Sequence, residues 1–119
     1  MLRSSGPPYF GSYSLSFAEF AFRGLDGVYA VFARIGNYRF PIDVGESHDI
    51  GDRLRSHDRK PAWFSLLSRA LVSYEVYAAA TPPDRLYHPS AAKSWRKWIE
   101  FYWRFSYKAQ GFALFGERP

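Results

Sequence analysis

An arginine and a histidine stand four positions apart near the middle of the chain, at Arg53 and His57, in a stretch that predicts a helix. Side chains at this spacing share one face of a helix. A guanidinium is a planar, permanently charged donor for phosphate oxygens. An imidazole exchanges a proton near neutral pH. The pair is therefore suited to gripping a phosphodiester and moving a proton beside it.

Two glycine-containing runs precede this pair, Gly27-Val28-Tyr29 and Asp43-Val44-Gly45-Glu46-Ser47. In order and spacing, these runs and the helix that follows resemble the core of the GIY-YIG nuclease family. Tyr29 falls on the tyrosine of the first family triplet. Asp43 falls where the second triplet normally has its tyrosine, which is the main departure from the family pattern. The similarity extends over about residues 27–110.

The resemblance implies a catalytic set made of Tyr29, Asp43, Arg53, His57 and Glu100. Arg53 would clamp the non-bridging phosphate oxygens as charge develops on them. Glu100 lies in a stretch that looks like the family's C-terminal helix, whose glutamate holds a divalent metal. Glu100 is therefore the implied ligand of Mg²⁺ or Mn²⁺.

Two roles within this set stay open. Either Tyr29 or His57 takes or relays the proton of the attacking water, because a phenol needs a lowered pKa whereas an imidazole is already near 6.5. Asp43 is either a damaged position that repels phosphate, or an added metal ligand or general base. The first reading removes activity and the second preserves it.

Each of these residues also has a purely structural interpretation. Tyr29 alone reads as a core tyrosine in an apolar strand. Arg53 could pair with Asp49 one helical turn earlier, and His57 could be a helix C-terminal residue favoured by the helix dipole. Glu100 could join a surface ladder of ion pairs with the arginines one turn to either side, Arg96 and Arg104.

Charge favours a polyanionic partner. The 119-residue chain carries 16 Lys and Arg against 11 Asp and Glu, a formal net charge of +5. Basic side chains attract phosphates and release counterions. DNA is the expected partner and RNA is left open, with contacts to the phosphate backbone expected from Arg34, Arg39, Arg55, Arg59, Lys60 and Lys93.

Cysteine content and hydropathy argue against several other classes of protein. The chain has no Cys, which excludes disulfide frameworks and Cys-based zinc sites. It has no apolar run of signal-peptide or transmembrane type, so a cytoplasmic protein without a membrane partner is expected. Aromatic residues make up 20% of the sequence. That is more than one small core readily hides, which predicts an exposed aromatic patch or a homodimer interface.

The patterns predict an α+β fold in which helices flank a three-stranded antiparallel sheet, as in GIY-YIG domains. Residues 1–23 are expected as an N-terminal arm or extra strand, with Ser14 to Arg23 extended, residues 24–110 as the domain, and residues 111–119 as a tail. Pro41 predicts an edge strand or a bulge. The predicted elements are strands over 28–33, 38–44 and 73–79, a turn at Gly36-Asn37, and helices through His57, over 62–71 and over 91–110.

Two functions follow. The first is a metal-dependent endonuclease of the GIY-YIG type that hydrolyses phosphodiester bonds in DNA. The second is a catalytically weak or inactive GIY-YIG-like domain that binds nucleic acid or another protein. Metal-dependent nicking of plasmid DNA distinguishes the two.

Overall fold

The computed structural model describes residues 9–66, 72–81 and 89–116. The elements follow along the chain in this order: β1 (Tyr9–Ser14), α1 (Leu15–Ala21), β2 (Gly27–Ile35), β3 (Tyr38–Ser47), α2 (Ile50–Arg55), α3 (Lys60–Leu66), β4 (Ser73–Ala80) and α4 (Pro89–Ala109).

The four strands form one antiparallel sheet in the order β1-β4-β2-β3. The predicted α+β class is confirmed, but the sheet has four strands where three were predicted. The fourth is β1, which pairs with β4. One apolar cluster packs the short helices against the sheet and includes Phe22, Leu54 and Trp63. A second cluster includes Tyr107 and covers the opposite face with α4. The sheet therefore lies between two helical layers.

The N-terminal segment was predicted as extended over Ser14 to Arg23, and that prediction is wrong. The hydroxyl of Ser14 accepts a hydrogen bond from the backbone N–H of Phe17 and caps a helix. Leu15, Ala18 and Phe22 then fall on the buried side at helical spacing. This helix packs into the same core as the central strands, so residues beyond β1 belong to the body of the domain.

The β2–β3 hairpin matches its prediction closely. Its turn falls at Gly36-Asn37, and Gly36 has a φ of 59°, a left-handed conformation that glycine adopts without strain. The strand register shifts where Phe32 faces Pro41, which is a bulge. Because β3 is also an edge strand, Pro41 removes no hydrogen bond to a further strand.

The helix that carries Arg53 is shorter than predicted. It ends at Arg55, Ser56 forms its C-cap, and His57 lies beyond it instead of on its last turn. The second predicted helix begins earlier, at Lys60, and its predicted residues 67–71 lie outside the described residues. In the predicted tail, Leu114 is buried, and the N–H of Phe115 donates to the Ile42 carbonyl at 2.8 Å. This part of the tail therefore packs on the sheet edge.

The longest helix, α4, agrees with its prediction to within two residues at each end. Within the described parts of the chain, no helix is long and apolar enough to cross a membrane.

Candidate functional site

The carboxylate of Asp43 is completely buried and accepts four N–H hydrogen bonds. Arg59 donates two of them, from Nε to Oδ2 at 2.7 Å and from Nη2 to Oδ1 at 3.0 Å. The indole Nε1 of Trp63 donates to Oδ2 at 2.8 Å. Nη2 of Arg104 donates to Oδ1 at 2.9 Å. Each oxygen thus receives two donors, which compensates the loss of hydration on burial.

Three separate elements bring these donors to Asp43. On β3, Asp43 faces Val31 across the strand pair and so points to the layer of short helices. Arg59 precedes α3, and Trp63 lies on its first turn, four residues later. Arg104 reaches across the β3 edge from α4, where it also donates to the carbonyls of Val44 and Phe115. The hydrogen bonds to Asp43 therefore link both helical layers to the edge strand.

Tyr29 lies directly beside this network on β2 and is 1% exposed. Its ring covers Gly45, the paired residue on β3, where an added Cβ would lie 2.4 Å from the phenol oxygen. Burial raises the pKa of the phenol well above its usual value near 10. The guanidinium of Arg53 opposes that rise through its charge and a hydrogen bond, but does not cancel it. Tyr29 is therefore a neutral phenol at physiological pH.

His57 is also buried, at 3% exposure, and its ring packs on the Trp63 indole with centroids 4.6 Å apart. Its Nδ1 accepts a hydrogen bond from the backbone N–H of Arg59 at 3.1 Å, so the neutral ring carries its proton on Nε2. Burial, with help from the positive charge of Arg53, lowers the pKa of His57 from 6.5 to about 4. A neutral ring does not fit the alternative of a charged residue at a helix end.

Arg53 is the most accessible member of the group, with 38% of its side chain exposed. Its Nη2 pairs with Oδ1 of Asp58 at 3.0 Å, and that aspartate is itself 72% exposed. The alternative partner, Asp49, instead caps α2 by accepting a hydrogen bond from the N–H of Asp52. It also accepts one from the N–H of Gly24, beyond the end of α1. Arg53 thus presents a guanidinium at the surface beside the buried Tyr29.

Glu100 lies on α4 and is held by cations of its own helix. Its Oε2 lies 3.4 Å from Nε of Arg104, and its Oε1 lies 3.8 Å from Nζ of Lys97. The predicted ion pair is present between Glu100 and Arg104. Arg96 instead pairs with Glu46, whose side chain is 11% exposed, at 2.8 Å from Nε to Oε1. Tyr29 lies beside Arg53, and its ring contacts that of His57 with centroids 6.1 Å apart. Glu100 instead contacts Arg104, which in turn donates to Asp43.

The residues present do not fit a divalent metal. Mg²⁺ and Mn²⁺ need free carboxylate oxygens. Both oxygens of Asp43 are occupied by nitrogen donors, and both oxygens of Glu100 face cations. Across residues 9–66, 72–81 and 89–116, no group of three or more His, Asp or Glu side chains is close enough to hold a metal ion.

Most of the cations predicted to contact nucleic acid have an acidic neighbour. Lys93 is an exposed side chain of α4. The other five form ion pairs: Arg34 and Arg39 with Glu75, Arg55 with Asp52, Arg59 with Asp43, and Lys60 with Glu19.

Two members of the Asp43 network were not predicted from the sequence, Trp63 and Arg104. Arg104 was considered only as a neighbour of Glu100 in a surface ladder. The alternation of Phe40, Ile42 and Val44 places Asp43 on the other face of the strand with Arg39, so the local pattern does not mark Asp43 as buried. The sequence therefore gives no signal that Asp43 needs internal donors or which residues supply them.

No family model matches the chain, and no curated protein or solved structure matches it at a significant level. The resemblance to GIY-YIG nucleases therefore stays an expectation from the sequence motifs.

Proposed function

We propose that this chain is a GIY-YIG-like nucleic-acid-binding domain with little or no hydrolytic activity. The observation that carries the proposal is the network around Asp43. Where the family has a tyrosine that faces the reacting phosphate, this chain has a carboxylate that accepts four internal hydrogen bonds. That position contributes to stability and is closed to substrate.

The nearby groups that could move a proton support the same proposal. A general base must reach the attacking water and must have a pKa near the working pH. Tyr29 is buried with a raised pKa. His57 is buried, and its Nδ1 lone pair already accepts the N–H of Arg59. Neither group offers a free basic atom to solvent.

Phosphate binding depends on Arg53. Its guanidinium is partly exposed, and its partner Asp58 is largely in water. Exposed ion pairs contribute little to stability because water and salt screen them. An incoming phosphate can therefore replace Asp58 and take a bidentate hydrogen bond from Arg53. The net charge of +5 attracts a polyanion to this surface.

The binding test uses fluorescence anisotropy with labelled DNA and RNA oligonucleotides at increasing salt. We expect affinity to fall steeply with salt, and Arg53→Gln to lower the slope of log K against log salt by about 1. Arg34→Gln is the matched control, since it removes the same charge where Arg34 is already paired with Glu75. Equal effects of the two variants, or affinity that does not change with salt, would contradict the proposal.

A second candidate is the metal-dependent endonuclease, favoured by the convergence of Tyr29, Arg53 and His57. Plasmid nicking with Mg²⁺ or Mn²⁺ separates the two. The binding domain leaves supercoiled DNA intact. The nuclease nicks it, and loses that activity in Glu100→Ala while retaining fold and binding, because alanine is the best helix former.

A further inference from the structure

The outward face of α4 carries five large aromatic side chains that are 55–66% exposed. They are Trp95, Trp98, Phe101, Tyr102 and Phe105. The opposite side of the helix packs on the sheet through Ile99, Trp103 and Tyr107. The exposed face is thus a continuous aromatic stripe on an element that the core already holds in place.

The spacing within this stripe is that of a coiled-coil seam. Ala91, Trp95, Trp98, Tyr102, Phe105 and Ala109 follow one another at alternating steps of four and three residues. Apolar residues at these steps line the contact between two packed helices. We call these six residues the α4 seam.

A concavity of about 510 Å³ lies at the N-terminal half of the seam. It is lined by Ala91, Ser94, Trp95 and Trp98, together with Ile99. The first four stand at i, i+3, i+4 and i+7, which is the set that forms a hole for one side chain of a facing helix. The small side chains of Ala91 and Ser94 create the space. The surface therefore has the shape of a receptor for a single large side chain.

The positions of the seam residues are symmetric about position 100 of the chain. Turning a second α4 antiparallel about a point near Glu100 brings Phe105 opposite Trp95, and Tyr102 opposite Trp98. Phe105 of the second copy then stands over the concavity of the first, and Phe105 of the first stands over that of the second. One twofold axis satisfies both contacts, as an isologous interface requires.

We propose that this chain forms a homodimer in which two α4 helices pack antiparallel along their seams, with Phe105 of each copy inserted into the concavity of the other. This inference is independent of the proposed function. It names a second copy of the same chain as the occupant of the stripe.

The exposed area is sufficient for such a pair. Aromatic side chains bury about 150–250 Å² each, so five at these exposures present roughly 450–750 Å² per copy. Both copies together reach the ~1,000 Å² expected of a specific interface. The pairing places no charged side chain within the seam. The charged residues of α4 all fall outside it by helical spacing: Lys93, Arg96, Lys97, Glu100, Arg104 and Lys108.

The first test measures the mass of the full chain by sedimentation and light scattering. We expect twice the chain mass for the wild type and a shift to monomer for Phe105→Ser. Phe20→Ser is the matched control, since Phe20 is 66% exposed on α1 whereas Phe105 is 63% exposed. A monomeric wild type, or equal dissociation by both variants, overturns the proposal. A monomeric wild type that sediments with anionic vesicles, when Phe105→Ser does not, instead assigns the stripe to a lipid surface.

The second test fills the concavity instead of removing its occupant. Ser94→Phe adds a ring to an exposed position, so the monomer should fold normally and retain its circular dichroism spectrum. We expect this variant to be monomeric because Phe105 of the second copy no longer fits. A dimer of unchanged stability in Ser94→Phe overturns the assignment of the concavity as the receptor.

Orientation is tested by cross-linking, for which the absence of native cysteine is convenient. Oxidation of a mixture of Trp98→Cys and Tyr102→Cys chains should yield the mixed disulfide in preference to either homodimer. A parallel pair would instead cross-link Trp98→Cys to itself, and that result overturns the antiparallel arrangement.

Discussion

Asp43 and Arg59 form a two-bond ion pair in which the carboxylate is fully buried and the guanidinium is 28% exposed. The hydrogen bond to Asp43 raises the pKa of Arg59 further above its usual value, and burial of the guanidinium only partly opposes this. By the proposed resemblance, Asp43 falls where the GIY-YIG pattern has a tyrosine, and in this chain that position forms a structural ion pair.

Arg59→Met should lower the free energy of unfolding by about 3 kcal/mol, because it leaves a buried carboxylate with only Trp63 and Arg104 as donors. Urea unfolding followed by tryptophan fluorescence measures the change. The control is Arg55→Met, which breaks an exposed pair with Asp52 and should cost less than about 0.5 kcal/mol. Similar losses in the two variants would mean that the Asp43 pair contributes no more than a surface contact.

Asp43→Tyr tests whether restoring the family residue restores the family chemistry. The substitution leaves Arg59 and Arg104 without their carboxylate and forces a larger ring into a buried site, so we expect a stability loss of several kcal/mol and no gain in nicking. Asp52→Tyr, at an exposed position, serves as the control for the added ring. A folded Asp43→Tyr protein that nicks plasmid DNA with Mg²⁺ would show that Asp43 is a damaged catalytic position.

Stability should fall as the pH drops from 6.5 towards 4 because of His57. Its pKa is about 4 in the folded chain and 6.5 when unfolded, so the unfolded state binds more protons within this window. The stabilisation is complete above pH 6.5 and is lost towards the lower limit, by up to about 3 kcal/mol.

The measurement compares urea midpoints of the wild type and His57→Gln across this range. Carboxylates with lowered pKa values, including Glu75, also reduce stability at lower pH, and they do so equally in both proteins. The difference in midpoint between the two proteins therefore reports on His57 alone. Parallel curves for the two proteins between pH 6.5 and 4 would show that His57 is not buried as a neutral ring.

Gly45→Ala should destabilise the chain by roughly 1–3 kcal/mol, since the new methyl group would meet the Tyr29 ring. The clash depends on that ring, so the same substitution should cost less in a Tyr29→Ala background. A double-mutant cycle in urea measures this coupling. If the two substitutions have additive effects on stability, Gly45 is required for a reason other than its contact with the Tyr29 ring.

The local elements of this fold were predictable because their signals are local. Gly36-Asn37 sets the hairpin turn by its backbone freedom, Pro41 marks the bulge, and the aromatic period of α4 marks a long helix. The N-terminal helix was not predicted because the apolar residues Leu15 and Phe17 stand two positions apart, as in a strand. The feature that favours a helix is the cap at Ser14, which is a signal from only one residue.

The sequence by itself determined the order of the chemical groups, with Arg53 and His57 close together on the chain and Tyr29 on the preceding strand. Only the tertiary structure decided what those groups meet. Trp63 and Arg104 reach Asp43 from 20 and 61 positions away. Burial then fixes the protonation of Tyr29 and His57. Desolvation and long-range donors depend on which elements pack together, and no local pattern encodes that choice.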